Sequence, residues 1–429
     1  MKENRIKVII STGQGRLHLI QSAIALKRIG ISVTLITGWI PSKIFPDNVI
    51  DRMGRFIGRK NSLAAGLRKR TPPEFEQSEL KGCGYSEFYM QMLFKLTSFH
   101  FFSRSMAAVS GWKLFGRQSR NFIKNSQIFH VRSGAGQGGA IIKARKQGMK
   151  ILVDHSIAHP FEMERQLAKA ATNSLIVSDK FKIIYPNDNF WKLVLKDCLE
   201  ADCLLVNSEY VKWSFINEGY PEEKIRIAQL GVNSEFNKSK TSYKRSDKLK
   251  LIFTGGFGSR KGASLIIDAL TLLKADGFSF SFDVVGNVMA DIAIPDWIKE
   301  SKDFKFHGHL SQDKMLPILL DSDVYIFPTY VEGAAQSVKE AMSTGLSIIT
   351  TRQSGAPIIH GENGLLIEDH NALALYSAIK LLIQDDNLLE AIGRNATKTI
   401  RNGHSWNRYA EVVRDVYCEL LDDRANHDS

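Results

Sequence analysis

The chain has 429 residues, 44% of them apolar and 24% charged, with a net charge of +12. That length exceeds what one hydrophobic core usually serves and implies two domains, and the composition excludes a disordered chain. Four scattered cysteines, Cys83, Cys198, Cys203 and Cys418, form no CxxC pair, which argues against a disulfide framework or a thiolate zinc site and suits a reducing cytoplasm.

A short apolar run over 7–11 reads as a buried strand and not as a signal peptide. A helical pattern over 18–29 and a strand over 32–37 complete a first β-α-β unit. An insertion over 41–126 follows. Between Asp51 and Lys124 it holds 14 Lys/Arg against 5 Asp/Glu. Large apolar side chains are interleaved with these charges: Phe88, Tyr89, Met90, Met92, Leu93 and Phe94, then Phe99, Phe101, Phe102, Trp112 and Phe115. Interfacial helices use that mixture to sit on anionic lipid, so an anionic membrane surface is the expected partner of 51–124. No nucleic-acid motif accompanies the charge, and nucleic acid is not expected. The stretch 90–115 is broken by Lys95, His100 and Arg104 and falls short of the ~20 apolar residues of a spanning helix.

The alternation then resumes, with strands over 127–131, 150–154, 203–207 and 224–228 and helices over 140–146 and 209–218. Gly134 to Gly139 reads GAGQGG, which satisfies GxGxxG, with a strand before it, a helix after it and Asp154 at the end of the next strand. That is the dinucleotide-binding context. This unit is not the first of its domain, where the fingerprint normally sits, so a glycine-rich turn is the expected reading and an NAD(P)-dependent oxidoreductase the alternative. The polar run over 233–248 reads as a linker with little to support a core. A second series of strands covers 249–254, 280–285, 324–327 and 347–350. The expected class is α/β, with two doubly wound Rossmann-like domains, over 1–232 and 249–404, facing across a ligand-binding cleft.

The second domain carries the densest chemistry. After the strand ending near Pro328, small residues Gly333, Ala334 and Ala335 open a helix whose first N–H groups can receive a diphosphate. Glu332 precedes that helix and Glu340 lies inside it, two carboxylates suited to accepting from sugar and ribose hydroxyls. That spacing alone is a weak signal. The loop TGGFGSRKG, after the first strand of this domain, delivers Arg260 and Lys261 to the same end of the sheet, where they can neutralise phosphate. It lacks the P-loop pattern.

With these residues in view, the chain resembles the glycosyltransferases of family 4, which have the two-domain GT-B fold. EGAAQSVKEAMSTGLSIIT resembles the family's E-x7-E signature, and TGGFGSRKGASLIIDAL its donor-diphosphate loop. ADCLLVNSEYVKWSFINEGYPEEKIRIAQLGVN resembles the segment closing the first domain. The tail over 405–429 resembles the helix that crosses back to it. The resemblance implies a retaining transferase that takes a sugar, typically a hexose, from a nucleotide-sugar co-substrate, without a metal or other cofactor. It places Lys261 on the donor phosphates, Glu340 on the ribose and Glu332 on the sugar. Backbone groups from Gly333 through Ala334, Ala335, Gln336 and Ser337 to Val338 complete the donor site, with Gly13 and Gly15 across the cleft. Three positions depart from the family pattern: Gly256 where arginine is common (Arg260 stands nearby), Ala334-Ala335 where an aromatic-glycine pair is common, and Ser347 where proline is usual.

In that family a histidine at the end of the 150–154 strand approaches the sugar. His155 is the first candidate for this catalytic position and His159 the second. Their i, i+4 spacing could also suit a metal, but Pro160 biases His159 away from helical geometry and no carboxylate completes a site. The expected acceptor is a saccharide or a lipid-linked molecule in polysaccharide or glycolipid synthesis, and the expected location is the cytoplasm, peripheral on the inner face of a membrane. A non-catalytic sugar-nucleotide-binding protein is a further alternative.

Overall fold

The computed structural model describes residues 5–425 apart from 15–16, 41–44, 57–62, 69, 98–102, 174, 178, 183, 245–246 and 369. The first sheet comprises β1 (Lys7–Ser11), β2 (Ser32–Thr37), β3 (Leu80–Gly82), β4 (Ile128–Arg132), β5 (Lys150–His155), β6 (Cys203–Val206) and β7 (Ile225–Ile227). All run parallel, in the order β3-β2-β1-β4-β5-β6-β7. Its helices are α1 (Leu17–Arg28), α2 (Asp47–Phe56), α3 (Leu63–Arg68), α4 (Gly84–Leu96), α5 (Arg104–Ser119), α6 (Ala140–Lys146), α7 (Pro160–Ala170), α8 (Asn189–Leu199) and α9 (Glu209–Ile216). The central strands are almost fully buried, as a parallel sheet covered on both faces requires.

The second sheet comprises β8 (Leu249–Thr254), β9 (Phe280–Val285), β10 (Phe304–Gly308), β11 (Val324–Phe327), β12 (Ser347–Thr350) and β13 (Leu365–Leu366), in the order β10-β9-β8-β11-β12-β13. It carries α10 (Ala263–Ala275), α11 (Asp296–Lys299), α12 (Gln312–Asp321), α13 (Gln336–Thr344), α14 (Ala372–Gln384) and α15 (Asp386–Gly403). A last helix, α16 (Trp406–Ala425), returns to the first domain. Tyr409, Val413 and Tyr417 are buried there with Val8, Leu19 and Leu205. Tyr409 Oη accepts from Ser22 Oγ at 2.9 Å, and Tyr417 Oη lies 2.7 Å from His130 Nδ1.

The chain order reverses between β1 and β4 in the first sheet and between β8 and β11 in the second. A doubly wound sheet opens a crevice beyond the strand ends at such a point. The loops after β8 and β11 are those carrying Arg260, Lys261 and Glu332.

The structure corrects the expected linker. Phe236 is fully buried and Tyr243 nearly so, both in the core of the second domain. Ser343 Oγ donates to the Phe236 carbonyl at 2.7 Å, and Lys240 N to the Thr344 carbonyl at 3.0 Å. Two aromatic anchors in a polar string are enough to fasten residues 233–243 to α13.

The insertion holds α2 to α5 and the edge strand β3, whose three residues are too short for a periodic signal. Its large side chains divide into two sets. Met90, Leu93, Trp112 and Phe115 are buried. Val49, Met53 and Phe56 on α2, and Tyr85, Phe88 and Met92 on α4, are exposed, Phe56 by 93% and Phe88 by 73%. Phe99, Phe101 and Phe102 lie outside the described residues. No helix among the described residues is long and apolar enough to cross a membrane.

Candidate active site

The loop after β8 turns through Ser259–Lys261 and opens α10. Arg260 Nη1 donates to Glu332 Oε1 at 2.7 Å and to the Val331 carbonyl at 2.9 Å. Lys261 Nζ stands 3.7 Å from the same Glu332 oxygen and 5.1 Å from the centre of the Phe327 ring. Two cations thus converge on one carboxylate at the mouth of the switch point. Burial pushes the Lys261 ammonium below its ordinary value, opposed by Glu332 and reinforced by Arg260. A cation so enclosed acts on an incoming anion through a medium less polar than water, which strengthens the attraction.

The first turn of α13 adjoins this cluster. The Glu332 N–H donates to Gln353 O at 3.0 Å and that of Ala335 to Ser354 O at 2.8 Å, so these two amides are engaged within the domain. The Gln336 side chain donates to Gly231 O at 2.7 Å, and Val338 is fully buried. Ser337 adjoins Tyr325, Ala334 is half-buried and Gly333 is buried. Glu340 and Gln336 border a cleft of about 1630 Å³ between the domains, whose other wall includes His18 and Gln21. Burial pushes the Glu340 carboxyl up to about 7, with Lys339 opposing and Glu235 adding to the shift. The neighbouring Lys339 is almost inaccessible, donates to Leu230 O at 2.5 Å and is pushed down to about 7 by burial.

On the first-domain side, Gly13 packs against Trp112 and Ala135, and Gly15 lies outside the described residues. His18 Nε2 is 3.0 Å from Asp154 Oδ1. Burial pushes Asp154 up, but His18 and His130 outweigh it and hold the carboxyl well below the usual range. Sequence reasoning overlooked His18, although its place at the start of α1, just beyond the first glycine loop, was a usable signal.

The two catalytic histidine candidates are both enclosed by first-domain side chains. His155 is buried, with Nδ1 2.9 Å from Ser133 Oγ and 3.8 Å from Cys198 Sγ, and its ring meets Phe215 edge-on. His159 caps α7, accepting from Phe161 N at 3.3 Å, and is packed among Phe161, Phe215 and Tyr220. Burial pushes His159 down to about 4. Phe215 of α9 packs against both imidazoles at the end of β5. No group of three or more potential metal ligands occurs among the described residues.

The oxidoreductase alternative is also overturned. Asp197 on α8 accepts from the N–H groups of Gly134 (2.6 Å) and Gly136 (2.7 Å) and from Gln137 Nε2 (2.6 Å). The protein's own carboxylate fills the place a pyrophosphate would need. A Cβ at Gly138 would overlap the Lys113 carbonyl of α5, so these glycines admit a helix and not a cofactor.

Two facing α/β domains with their switch points opposed define the GT-B fold. Solved structures agree: sucrose-phosphate synthase of Thermosynechococcus elongatus superposes with a TM-score of 0.66 at 16% identity, over 98% of this chain and 100% of its own. Anabaena HepE, solved with UDP, gives 0.62 at 12% identity, over 96% and 100%. Residues 234–399, the greater part of the second domain, match the family model of glycosyl transferases group 1. The capsular polysaccharide biosynthesis glycosyltransferase CapM of Staphylococcus aureus is 24% identical over 52% of this chain and 62% of its own length. The chain spans about six-tenths of the length of the curated relatives it first matches.

Proposed function

We propose that the protein transfers a sugar, with retention of anomeric configuration, from a nucleotide-sugar donor to a saccharide or lipid-linked acceptor in cell-surface polysaccharide synthesis. The observation that carries this reading is the convergence of Arg260 and Lys261 on Glu332 beside the first turn of α13. The donor diphosphate lies against Lys261 and the helix N-terminus, the ribose against Glu340 and the sugar against Glu332. As the bond from the anomeric carbon to the phosphate oxygen breaks, the cations stabilise the departing charge. The acceptor oxygen bonds to that carbon on the same face, and its proton passes to the leaving phosphate. CapM's name and the UDP held by HepE support the polysaccharide and nucleotide parts of the reading.

A screen of UDP-, GDP-, ADP- and CMP-sugars for protection against thermal unfolding tests it, since a ligand that binds only the native state raises the midpoint. At least one is expected to raise it; no shift with any of the four would defeat the reading.

The same proposal places the insertion on an anionic membrane. The exposed side chains follow i, i+4, i+7 on α2 and i, i+3, i+7 on α4, and Arg52, Arg55 and Lys95 are exposed on the same helices. Each helix therefore combines an apolar stripe with basic side chains, the composition of an interfacial helix. Flotation with phosphatidylglycerol vesicles is expected to carry the protein upward and with neutral phosphatidylcholine vesicles to leave it behind. Phe56→Asp combined with Phe88→Asp should abolish flotation; equal flotation on both vesicle types, or by the double variant, would count against membrane docking.

A further inference from the structure

The residue before Glu332 is fully buried, yet its apolar neighbours belong to the other domain. Val331 forms one cluster with Ala158, Met163, Leu167 and Tyr210. Three are on α7 or the turn before it and the fourth is on α9. A buried carboxylate fixes this socket. Glu162 Oε1 accepts from Tyr210 Oη at 3.1 Å and from Gln166 Nε2 at 2.8 Å, while Arg165 Nε reaches Oε2 at 3.0 Å.

A second contact lies beside the plug. Ser208, the cap of α9, donates from Oγ to the Gly333 carbonyl at 2.5 Å while accepting from Val211 N at 3.2 Å. A Cβ at Gly333 would overlap the Ser156 carbonyl, so the two backbones touch there. Glu332 is thus flanked on both sides by contacts with the first domain.

The other end of the segment is held differently. Gln336 and Lys339 donate to Gly231 O and Leu230 O. Those carbonyls lie where the chain crosses between the domains, and Val232 N donates to His404 O at 2.9 Å at the return crossing. Separation of the domains would break the contacts around Glu332 but not those at the crossing, which turns with α13.

We propose that Val331 is a positioning residue: its insertion into the first-domain socket, together with the Ser208–Gly333 bond, sets Glu332, so that the sugar half of the donor site exists only while the domains are in contact there. This rests on the donor assignment above. The nucleotide half, formed by Lys261 and Glu340, lies within the second domain and does not depend on the plug. A nucleoside diphosphate then binds whether the plug is seated or not, whereas the sugar adds affinity only when it is seated.

The test compares Val331→Asp, which would bury a charge in the socket, with wild type and with Val331→Ile, which keeps an apolar plug. Affinities are measured for whichever pair among UDP/UDP-glucose, GDP/GDP-mannose and ADP/ADP-glucose binds the wild type. The wild type is expected to bind the sugar form about tenfold more tightly than the diphosphate, a preference worth about 1.4 kcal/mol. Val331→Asp should lose that preference while holding the diphosphate within about threefold of wild type, and Val331→Ile should restore it. Hydrogen exchange in peptides covering 331–335 and 160–170 should quicken in Val331→Asp whether or not any nucleotide binds. An unchanged sugar preference, or unchanged exchange, overturns the proposal. Failure of all three pairs on the wild type defeats the donor reading, and the exchange result still decides whether the plug holds this loop.

Discussion

Lys261→Ala is expected to lower the rate of sugar transfer by about 10²- to 10³-fold, the loss typical when one preorganised group facing developing charge is removed. The lysine is largely enclosed, with Phe327 beneath its ammonium and Glu332 3.7 Å away. Its charge therefore acts on a departing phosphate with little screening by water. Arg260 stays bonded to Glu332 and to the Val331 carbonyl in the variant, so the loop keeps its place and the loss is chemical. Thermal unfolding should stay close to wild type. Release of nucleotide from the protecting nucleotide sugar provides the rate. A drop of less than about tenfold, with the fold intact, would place the phosphates elsewhere.

Asp197→Ala is expected to cost about 3 kcal/mol of stability, because the Gly134 and Gly136 N–H groups are left buried without their acceptor. In a domain of this size that corresponds to a fall in Tm of roughly 6–12 °C. A pH signature accompanies it. Burial pushes the Asp197 carboxyl up to about 7, against the pull of Gln137 and the two glycine N–H groups. The folded state therefore holds the proton more tightly than the unfolded chain, whose aspartates titrate near ~3.9. The stability this gives is fully present below about pH 4 and is lost as pH rises through about 7. Denaturant titrations at pH 5 and pH 8 should show that decline in wild type, and a smaller one in Asp197→Ala. Equal stability of variant and wild type at both pH values would mean that Asp197 does not hold the glycine turn.

Asp197 also shows where the sequence ceased to be legible. The strands were readable because parallel strands buried on both faces are continuous apolar runs: 249–254, 280–285, 324–327 and 347–350 fall on β8, β9, β11 and β12. The placing of the charged cluster was readable too, since Arg260 and Lys261 follow a strand and Glu332 precedes a helix. A local pattern cannot show what fills a loop from a distance. Asp197 lies about 60 residues beyond the glycine turn it caps, and without it GxGxxG leaves a cofactor site open as the alternative to a plain turn. The same limit hid the packing of His155 and His159 against Phe215 from α9. It concealed Val331 as well, an apolar residue with no periodic neighbour in its own domain. Phe236 and Tyr243 were missed because two aromatics do not change the polar character of a sixteen-residue string.

The central claim is that Lys261, Glu332 and Glu340 hold a nucleotide sugar. Calorimetric titration of the protecting donor into wild type, Glu340→Gln and Lys261→Ala tests it most directly. One site per chain is predicted, weakened about tenfold or more by each substitution, with both variants retaining the wild-type unfolding midpoint in the absence of donor. Binding of equal strength in all three proteins would contradict it.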